Sequence, residues 1–161
     1  MIADTLDRND LAPQDLTLEL TESILLDTNP STMKTINEVH AHGVRLSMDD
    51  FGTGHSSLVY LQQFHVDYLK IDQSFIRRIG TESLSEHIVD NVIDLGQRLG
   101  LALVAEGVET REQAEYLKGK VTYLQGYLFG RPVPVRQFCD EQLVQAASPA
   151  IEAKEEQPEP A

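Results

Sequence analysis

Residues 101–106 read LALVAE, a continuous apolar run that ends on a glutamate. The preceding segment, residues 84–99, spaces its apolar side chains at helical intervals and ends at Gly100. A strand that is apolar along its whole length is typical of a parallel sheet, because helices cover both faces of such a sheet. This stretch therefore favours an α/β fold with a buried parallel strand.

The same alternation of strand and helix recurs along the chain. The segments with strand patterns are 16–21, 44–48, 66–71, 101–105 and 121–124. Helical patterns lie between them, and they cover 29–43, 58–64, 84–99, 111–117 and 136–144, with a further helix end in 1–11. Five strand–helix repeats predict an α/β fold with a parallel sheet.

Polar side chains stand at or near the carboxyl end of every predicted strand. They are Glu19, Glu22, Asp49, Asp50, Lys70, Asp72, Glu106, Glu109 and Gln125. In parallel α/β folds this edge of the sheet carries the chemistry, in closed barrels and open sheets alike. We therefore expect these residues to form one site.

The strongest local signal is the acid pair in VRLSMDDFGTGHSSL, residues 44–58. Taken alone, Asp49 and Asp50 could be a loop-capping acid beside a solvated one. Together with Glu19 and Glu106 they are better explained as a divalent-cation site, because hard carboxylate oxygens select Mg²⁺, Mn²⁺ or Ca²⁺. One carboxylate could bridge two ions, and two ions would clamp a phosphodiester and lower the pKa of a bound water.

The remaining strand-end residues leave more than one interpretation. Lys70 would either orient the attacking water and offset phosphoryl charge or form an ordinary salt bridge. Glu22 and Glu109 would either fix loops or touch metal. The glycines of FGTG, residues 51–54, do not continue into a dinucleotide-binding fingerprint.

Bulk composition excludes several function classes. The 161 residues carry a formal net charge of −13, which argues against binding to nucleic acid or to an anionic membrane. The single cysteine, Cys139, allows no internal disulfide, and no apolar run approaches the ~18 residues of a membrane-spanning helix. We therefore expect a soluble cytoplasmic protein. Its last residues, 145–161, are rich in Glu, Pro and Ala and are predicted to be a disordered tail.

One other α/β fold, the phosphoacceptor receiver domain, also places an acid pair and a lysine at strand ends. In that fold the acid pair comes early and the lysine closes a late strand. Here the acidic strand at Glu19 precedes the pair, and Lys70 follows one strand after it. The order of the residues excludes this alternative.

Five ordered strings closely resemble the EAL domain, a family of bacterial phosphodiesterases of cyclic di-GMP. They are ELTES (19–23), DDFGTGHSSL (49–58), LKIDQSFI (69–76), VAEGVET (104–110) and QGYLFGRP (125–132). The resemblance covers residues 1–144. It implies a (β/α)₈ TIM-type barrel that hydrolyses cyclic di-GMP to the linear dinucleotide pGpG with two Mg²⁺ or Mn²⁺ ions.

The resemblance also implies roles for single residues. Glu19 would bind the first metal, Asp49 would bridge both ions, and Asp50 and Glu106 would bind the second. Lys70 would position the attacking water, so that Lys70, Glu106 and Asp72, its strand-end neighbour, form the predicted catalytic set.

Further implied roles concern loops and partners. Gln125 would line the ligand site, while Glu22 and Glu109 would stabilise loops. Glu22 would brace the DDFGTG loop (49–54), which in this family also contributes to dimerisation, so a homodimer or an EAL/GGDEF-type partner is expected there. His55 stands where the family often has tyrosine.

Two ligands that the resemblance implies are missing from the sequence: the glutamate of the Glu-Ala-Leu motif and an asparagine after the next strand. We therefore expect an incomplete barrel that lacks its N-terminal strands and is inactive by itself. The alternative is a nonenzymatic, degenerate EAL module that acts through protein–protein interaction or dimerisation. Reconstitution with another fragment in trans is a third possibility.

Overall fold

A computed structural model describes residues 2–21, 24, 29–52, 65–81 and 83–140. The chain divides into two compact units, one that ends at Gly130 and one that begins at Arg131. The first unit contains the whole described sheet and the residues at its carboxyl edge. Within the described part of the second unit there is one short helix, Val135–Phe138.

The first unit is built on one parallel sheet of five described strands. Their order in the sheet follows their order in the chain, and each strand is parallel to its neighbours. The strands are β1 (Thr17–Thr21), β2 (Arg45–Phe51), β3 (Tyr68–Ile71), β4 (Ala102–Glu106) and β5 (Tyr123–Gln125). A doubly wound sheet would reverse its strand order at a switch point, whereas a strictly sequential order is that of a (β/α)₈ barrel. The predicted α/β fold is confirmed, and the five strands form an arc of such a barrel.

Helices follow the strands, as the apolar periodicity predicts. They are α1 (Ile2–Arg8), α2 (Pro30–Ala41), α3 (Gln73–Ile76), α4 (Ser83–Arg98) and α5 (Arg111–Leu117). Side-chain caps define two of their starts. The Asn29 Oδ1 accepts the Ser31 N–H at the start of α2, and Thr110 and Gln113 form a reciprocal capping box on α5.

The core lies between the sheet and the helices. Leu46, Leu69, Ile71 and Leu103 on the strands are at most 1% exposed. They pack in one cluster with residues of α3 and α4, among them Ile76, Val89 and Ile93. Because these side chains are packed in one apolar cluster, the polar residues at the carboxyl ends of their strands are held at defined positions.

The structure differs from the predicted elements in several places. Strand β2 continues to Phe51, so both acids of the pair lie within it, and β3 and β5 each begin two residues later than predicted. The four-residue helix α3 was not predicted, because a single turn is too short to show periodicity. The predicted helix at 58–64 and the boundary and tail at 145–161 lie outside the described residues and stay predictions.

No helix in the described ranges is long and apolar enough to cross a membrane.

Candidate active site

Three carboxylates converge on one buried ammonium group at the carboxyl edge of the sheet. The Nζ atom of Lys70 lies 2.6 Å from Oε1 of Glu19, 3.1 Å from Oδ1 of Asp49 and 2.7 Å from Oε1 of Glu106. The four residues come from β1, β2, β3 and β4 in turn. The structure thus brings together four of the nine strand-end residues that the sequence placed in one site.

Strand register explains why these four side chains meet. Ser47 on β2 lies opposite Glu19 on β1 and Tyr68 on β3. Asp49 comes two residues after Ser47, and Lys70 comes two residues after Tyr68. Side chains two residues apart on a strand point to the same face of the sheet. By the same rule Glu106, two residues after the Lys70 partner Val104, shares that face.

Charge and burial set the protonation state of Lys70. Its side chain is only 6% exposed. Burial by itself would lower the pKa of the ammonium, but the hydrogen bonds to Glu106, Glu19 and Asp49 outweigh it and raise the pKa above its ordinary value. Lys70 therefore stays protonated at neutral pH and can only donate hydrogen bonds, which excludes it as a general base.

The pKa of Glu106 is also raised, but for a carboxyl group this favours the neutral form. Its side chain is 18% exposed, and burial raises the pKa of its carboxyl, against the opposing hydrogen bond from Lys70. A carboxylate with a raised pKa is a better proton acceptor than an ordinary surface glutamate. Glu106 is thus more readily protonated than an ordinary surface glutamate.

Asp50 occupies an unusual backbone conformation. Its φ is +56°, in the left-handed region, and the pairing of β2 with β3 shifts register between Met48 and Phe51. The Asp50 N–H donates to Oδ1 of Asp49 at 3.0 Å. Desolvation and the neighbouring charge of Asp49 raise the pKa of the Asp50 carboxyl. Strain of this kind persists where the surrounding structure imposes it, and it is concentrated at functional sites.

The donor set suits a hard divalent cation. The centre groups the carboxylates of Glu19, Asp49 and Glu106 around one ammonium, with Asp50 adjacent to Asp49, so its charge is net negative. Oxygen donors of this type bind Mg²⁺, Mn²⁺ or Ca²⁺. Across the residues with described positions, no three acidic, His or Cys side chains are already spaced as a metal cage. The Lys70 ammonium holds their oxygens instead.

A cleft of about 240 Å³ opens beside this centre. It is lined by Gln73, Arg77, Glu106, Gly107, Glu109, Gln125, Gly126 and Tyr127. Two glycines allow its walls to pack closely: a Cβ on Gly107 would lie 2.5 Å from Cβ of Gln73, and one on Gly126 would lie 2.2 Å from the Val108 carbonyl oxygen. The cleft therefore has walls fixed by direct backbone contact.

The other predicted site residues take different places. Gln125 ends β5 opposite Glu106 and lines the cleft. Asp72 is 8% exposed and accepts the Ser74 N–H at 2.9 Å, which makes it the N-cap of α3. Its catalytic role stays a prediction, as does the loop-stabilising role of Glu109, whose Oε1 lies 3.5 Å from Nη2 of Arg77. Glu22 and residues 53–54 of the DDFGTG loop lie outside the described residues.

Five cleft residues were not among the predicted site residues: Gln73, Arg77, Gly107, Gly126 and Tyr127. Gln73 begins α3 and Arg77 is its C-cap, and this short helix has no periodic signal. The available signal for these two was their position after Asp72, directly behind a strand-end motif.

Comparison with known proteins decides the family. The family model described as the EAL domain matches residues 1–132.

The chain belongs to the EAL domain family.

Named relatives of this EAL chain include enzymes of cyclic di-GMP turnover. Cyclic di-GMP phosphodiesterase PdeL of Escherichia coli (strain K12) is 45% identical over 132 residues, which cover 81% of this chain and 36% of PdeL. Signaling protein YkoW of Bacillus subtilis (strain 168) is 45% identical over 139 residues, which cover 86% of this chain and 17% of YkoW. The chain thus spans about a third or less of the length of these relatives.

Solved EAL structures share the fold. The PaMucR phosphodiesterase in complex with c-di-GMP superimposes with a TM-score of 0.78 at 41% identity, over 85% of this chain and 56% of that one. The Klebsiella pneumoniae BlrP1 manganese/cy-diGMP complex gives a TM-score of 0.74 at 33% identity, over 81% of this chain and 34% of that one. These structures establish that the five-stranded sheet is part of an EAL TIM-type barrel.

Proposed function

We propose that this chain supplies the metal-binding carboxylates and the catalytic lysine of a cyclic di-GMP phosphodiesterase, which hydrolyses cyclic di-GMP to pGpG. The observation that carries the proposal is the convergence of Glu19, Asp49 and Glu106 on Lys70, within 3.1 Å at the carboxyl edge of an EAL sheet. Solved relatives that share the fold hold cyclic di-GMP, in one case with manganese.

The carboxylates would hold two divalent cations, Mg²⁺ or Mn²⁺. Glu19 would bind one ion, Asp50 and Glu106 the other, and Asp49 would bridge them. When bound, the ions would neutralise the phosphodiester and lower the pKa of the attacking water.

Lys70 would then position the water. Its ammonium, favoured by the hydrogen bonds to the carboxylates, would donate a hydrogen bond that orients the water and offsets charge on the phosphoryl oxygens. Glu106 would act in the same step as a ligand of the second ion. Gln125, at the mouth of the cleft, would contact the substrate, and Asp72 would keep Lys70 aligned through the start of α3.

We further propose that the 161 residues turn over cyclic di-GMP poorly by themselves. The sequence contains neither the Glu-Ala-Leu glutamate nor the following asparagine that the resemblance implies as ligands of the first ion. Loss of metal ligands weakens metal binding by at least about tenfold each. Those ligands would come from residues outside this sequence.

A nonenzymatic role is the second candidate, and one observation favours it. Lys70 contacts all three carboxylates directly, so the ammonium holds them together at the sheet edge without a metal ion and offsets part of their charge. Such a module would act through a homodimer or an EAL/GGDEF-type partner at the DDFGTG loop.

The test compares two proteins under the same conditions. One is the 161-residue chain, and the other is this chain preceded by the Glu-Ala-Leu and asparagine strands of the MucR EAL domain. Both are incubated with cyclic di-GMP and Mn²⁺, and pGpG is separated by chromatography. We expect strong turnover only in the extended protein, with loss of at least ~10³-fold in Asp49→Asn.

The matched control is Asp94→Asn, which removes an acid on the exposed face of α4 and leaves turnover unchanged. An extended protein that binds Mn²⁺ but releases no pGpG would contradict the hydrolytic function and favour the nonenzymatic candidate. Equal turnover by the two proteins would contradict the proposed dependence on residues outside the sequence.

A further inference from the structure

The backbone around the acid pair departs from a regular strand. Strand β2 advances three residues from Met48 to Phe51, while β3 advances two over the same distance, so β2 carries one extra residue. This is a β-bulge, and Asp50 within it has a φ of +56°. In a regular strand, neighbouring side chains point to opposite faces of the sheet, and a bulge changes where one of them points. The bulge therefore decides where the second acid of the pair lies.

Gly52 follows the bulge and lies against an aromatic ring. Its φ is +94°, in the left-handed region. An ideal Cβ at this position would lie 3.2 Å from Cε2 and 3.4 Å from Cζ of Phe75. The edge of the ring therefore occupies the space next to the Gly52 backbone that a larger residue would need. Both the φ and the ring contact favour glycine here.

The ring is itself fixed by α3. The Phe75 N–H donates to the Asp72 carbonyl at 3.1 Å, and Asp72 caps the helix by accepting the Ser74 N–H. Ile76 has no exposed surface, and Phe75 packs against the same apolar cluster. Lys70 lies on the strand that leads into this helix. One continuous segment, β3 followed by α3, thus carries both the lysine of the carboxylate centre and the ring that contacts the backbone after the acid pair.

We propose that Phe75 is a positioning residue for the acid pair. Its ring holds the Gly52 backbone, and through it the bulge that places the Asp50 carboxyl beside Asp49. This inference rests on the proposed function, in which the two acids bind divalent cations. The ring carries no charge and donates no ligand atom, so it acts only by keeping the acid pair in a geometry that cations can use.

The affinity for Mn²⁺ tests this role, because the proposed ligands of the second ion all lie in this chain. We expect Phe75→Leu, which keeps an apolar side chain but loses the rigid ring edge, to lower the affinity by roughly 10-fold, the lower end for loss of an outer-shell partner. Phe75→Met fills a similar volume with a flexible chain and has the same expected effect. Electron paramagnetic resonance of free Mn²⁺ reports the affinity of the 161-residue chain, and circular dichroism confirms that each variant is folded.

Leu95→Ala is the matched control for packing. Leu95 lies on α4 and, like Phe75, is partly buried against the apolar cluster. Both Leu95→Ala and Phe75→Leu should lower the midpoint of urea denaturation, since each removes buried apolar contacts. Only Phe75→Leu should weaken Mn²⁺ binding. Without metal, only Phe75→Leu should also speed amide hydrogen exchange at residues 48–52, measured by mass spectrometry.

A double-mutant cycle isolates the contact between the ring and the glycine. In the chain that retains Phe75, the methyl group of Gly52→Ala meets the ring, and the substitution also strains a backbone at φ +94°. In the Phe75→Leu background the ring contact is absent and only the backbone strain remains. We therefore expect the double variant to bind Mn²⁺ at least about 2-fold more tightly than the two single effects together predict.

The outcomes distinguish this role from the function on which it rests. If Phe75→Leu and Phe75→Met bind Mn²⁺ as tightly as the unsubstituted chain, or if Leu95→Ala weakens binding equally, Phe75 only fills space, and the phosphodiesterase proposal is unaffected. An additive cycle would likewise overturn the role of the ring contact. If the unsubstituted chain binds no Mn²⁺, the proposed cation site fails, and the inference fails with it.

Discussion

Two lysines of this chain make ion pairs in contrasting surroundings. Lys70, on β3, is 6% exposed and faces three carboxylates within 3.1 Å. Lys120, after α5, is 39% exposed, pairs with Asp90 at 3.0 Å and lies 3.7 Å from the centre of the Tyr116 ring. Lys120 ties α5 to α4 at the surface, whereas Lys70 holds like charges together in the interior.

The difference shows which kind of pair indicates a site. A solvent-exposed pair of one lysine and one acid has no net charge and needs no further ion. Three carboxylates on one buried ammonium leave excess negative charge at a sheet edge, where only a cation would balance it. Burial together with unequal charge, rather than the presence of a salt bridge, separates the candidate site from ordinary surface pairing.

The largest effect is expected from Lys70→Met. Without the ammonium, three carboxylates repel one another, and we expect the free energy of unfolding to fall by about 3 kcal/mol, at the lower end for a broken buried pair because Glu19 is half exposed. Mn²⁺ would restore much of this loss by replacing the missing charge. Urea denaturation with and without Mn²⁺ measures both. A loss that Mn²⁺ does not reduce would contradict the interpretation of the carboxylates as a cation site.

Asp49→Asn should weaken metal binding more than it changes stability. We expect the affinity for Mn²⁺ to fall at least ~10-fold, because loss of a negatively charged ligand costs no less than loss of an outer-shell partner. Two carboxylates still face Lys70, so the free energy of unfolding without metal changes by less than ~1 kcal/mol. Electron paramagnetic resonance of free Mn²⁺ reports the affinity. The exposed substitution Asp94→Asn is the control, and an equal effect from it would disprove a specific site.

Lys120→Met is the matched substitution in the other region. The pair it breaks is exposed, so we expect a loss of less than ~1 kcal/mol in the free energy of unfolding. Mn²⁺ binding should be unchanged, since Lys120 lies outside the carboxylate centre. A loss as large as that of Lys70→Met would show that burial does not distinguish the two lysines.

The smallest effect concerns acid stability at Asp90. Burial favours the neutral carboxyl, but hydrogen bonds with Lys120 and Tyr116 outweigh it and lower the pKa of Asp90 below its ordinary value of 3.8. A lowered pKa stabilises the fold above pH 3.8, and the contribution is lost as pH falls through the lowered value. Asp90→Asn should therefore cost a few tenths of a kcal/mol at pH 7 and nothing at strongly acidic pH. Denaturation at both pH values checks the sign; an equal cost at both would refute it.

Most of the fold could be predicted from the sequence because periodic patterns carry it. The strands around Glu19 and Glu106 and the long helix α4 appear where apolar spacing and stop glycines predict them. Helix α3 could not be predicted, since four residues show no period and its cap, Asp72, resembled a site residue. The later start of β5 reflects pairing with β4, a tertiary contact with no local signature.

The residues of the carboxylate centre could be predicted from the sequence, but the contacts between them could not. Strand-end position identified Glu19, Asp49, Lys70 and Glu106, and left open whether Lys70 orients water or forms a salt bridge. The structure shows it bonded to all three acids. The pairing of Arg77 with Glu109 joins residues 32 apart in the chain, and no sequence pattern links them.

The sequence by itself determined which residue types stand at the carboxyl ends of the strands, because local periodicity places strands and their final polar residues. Only the tertiary structure decided that Lys70 and Glu19, 51 residues apart, would lie 2.6 Å from each other. Parallel register sets which side chains share a face, and burial of the apolar strands holds them there against their mutual repulsion. Local pattern thus supplied the chemical groups, and packing brought them into contact.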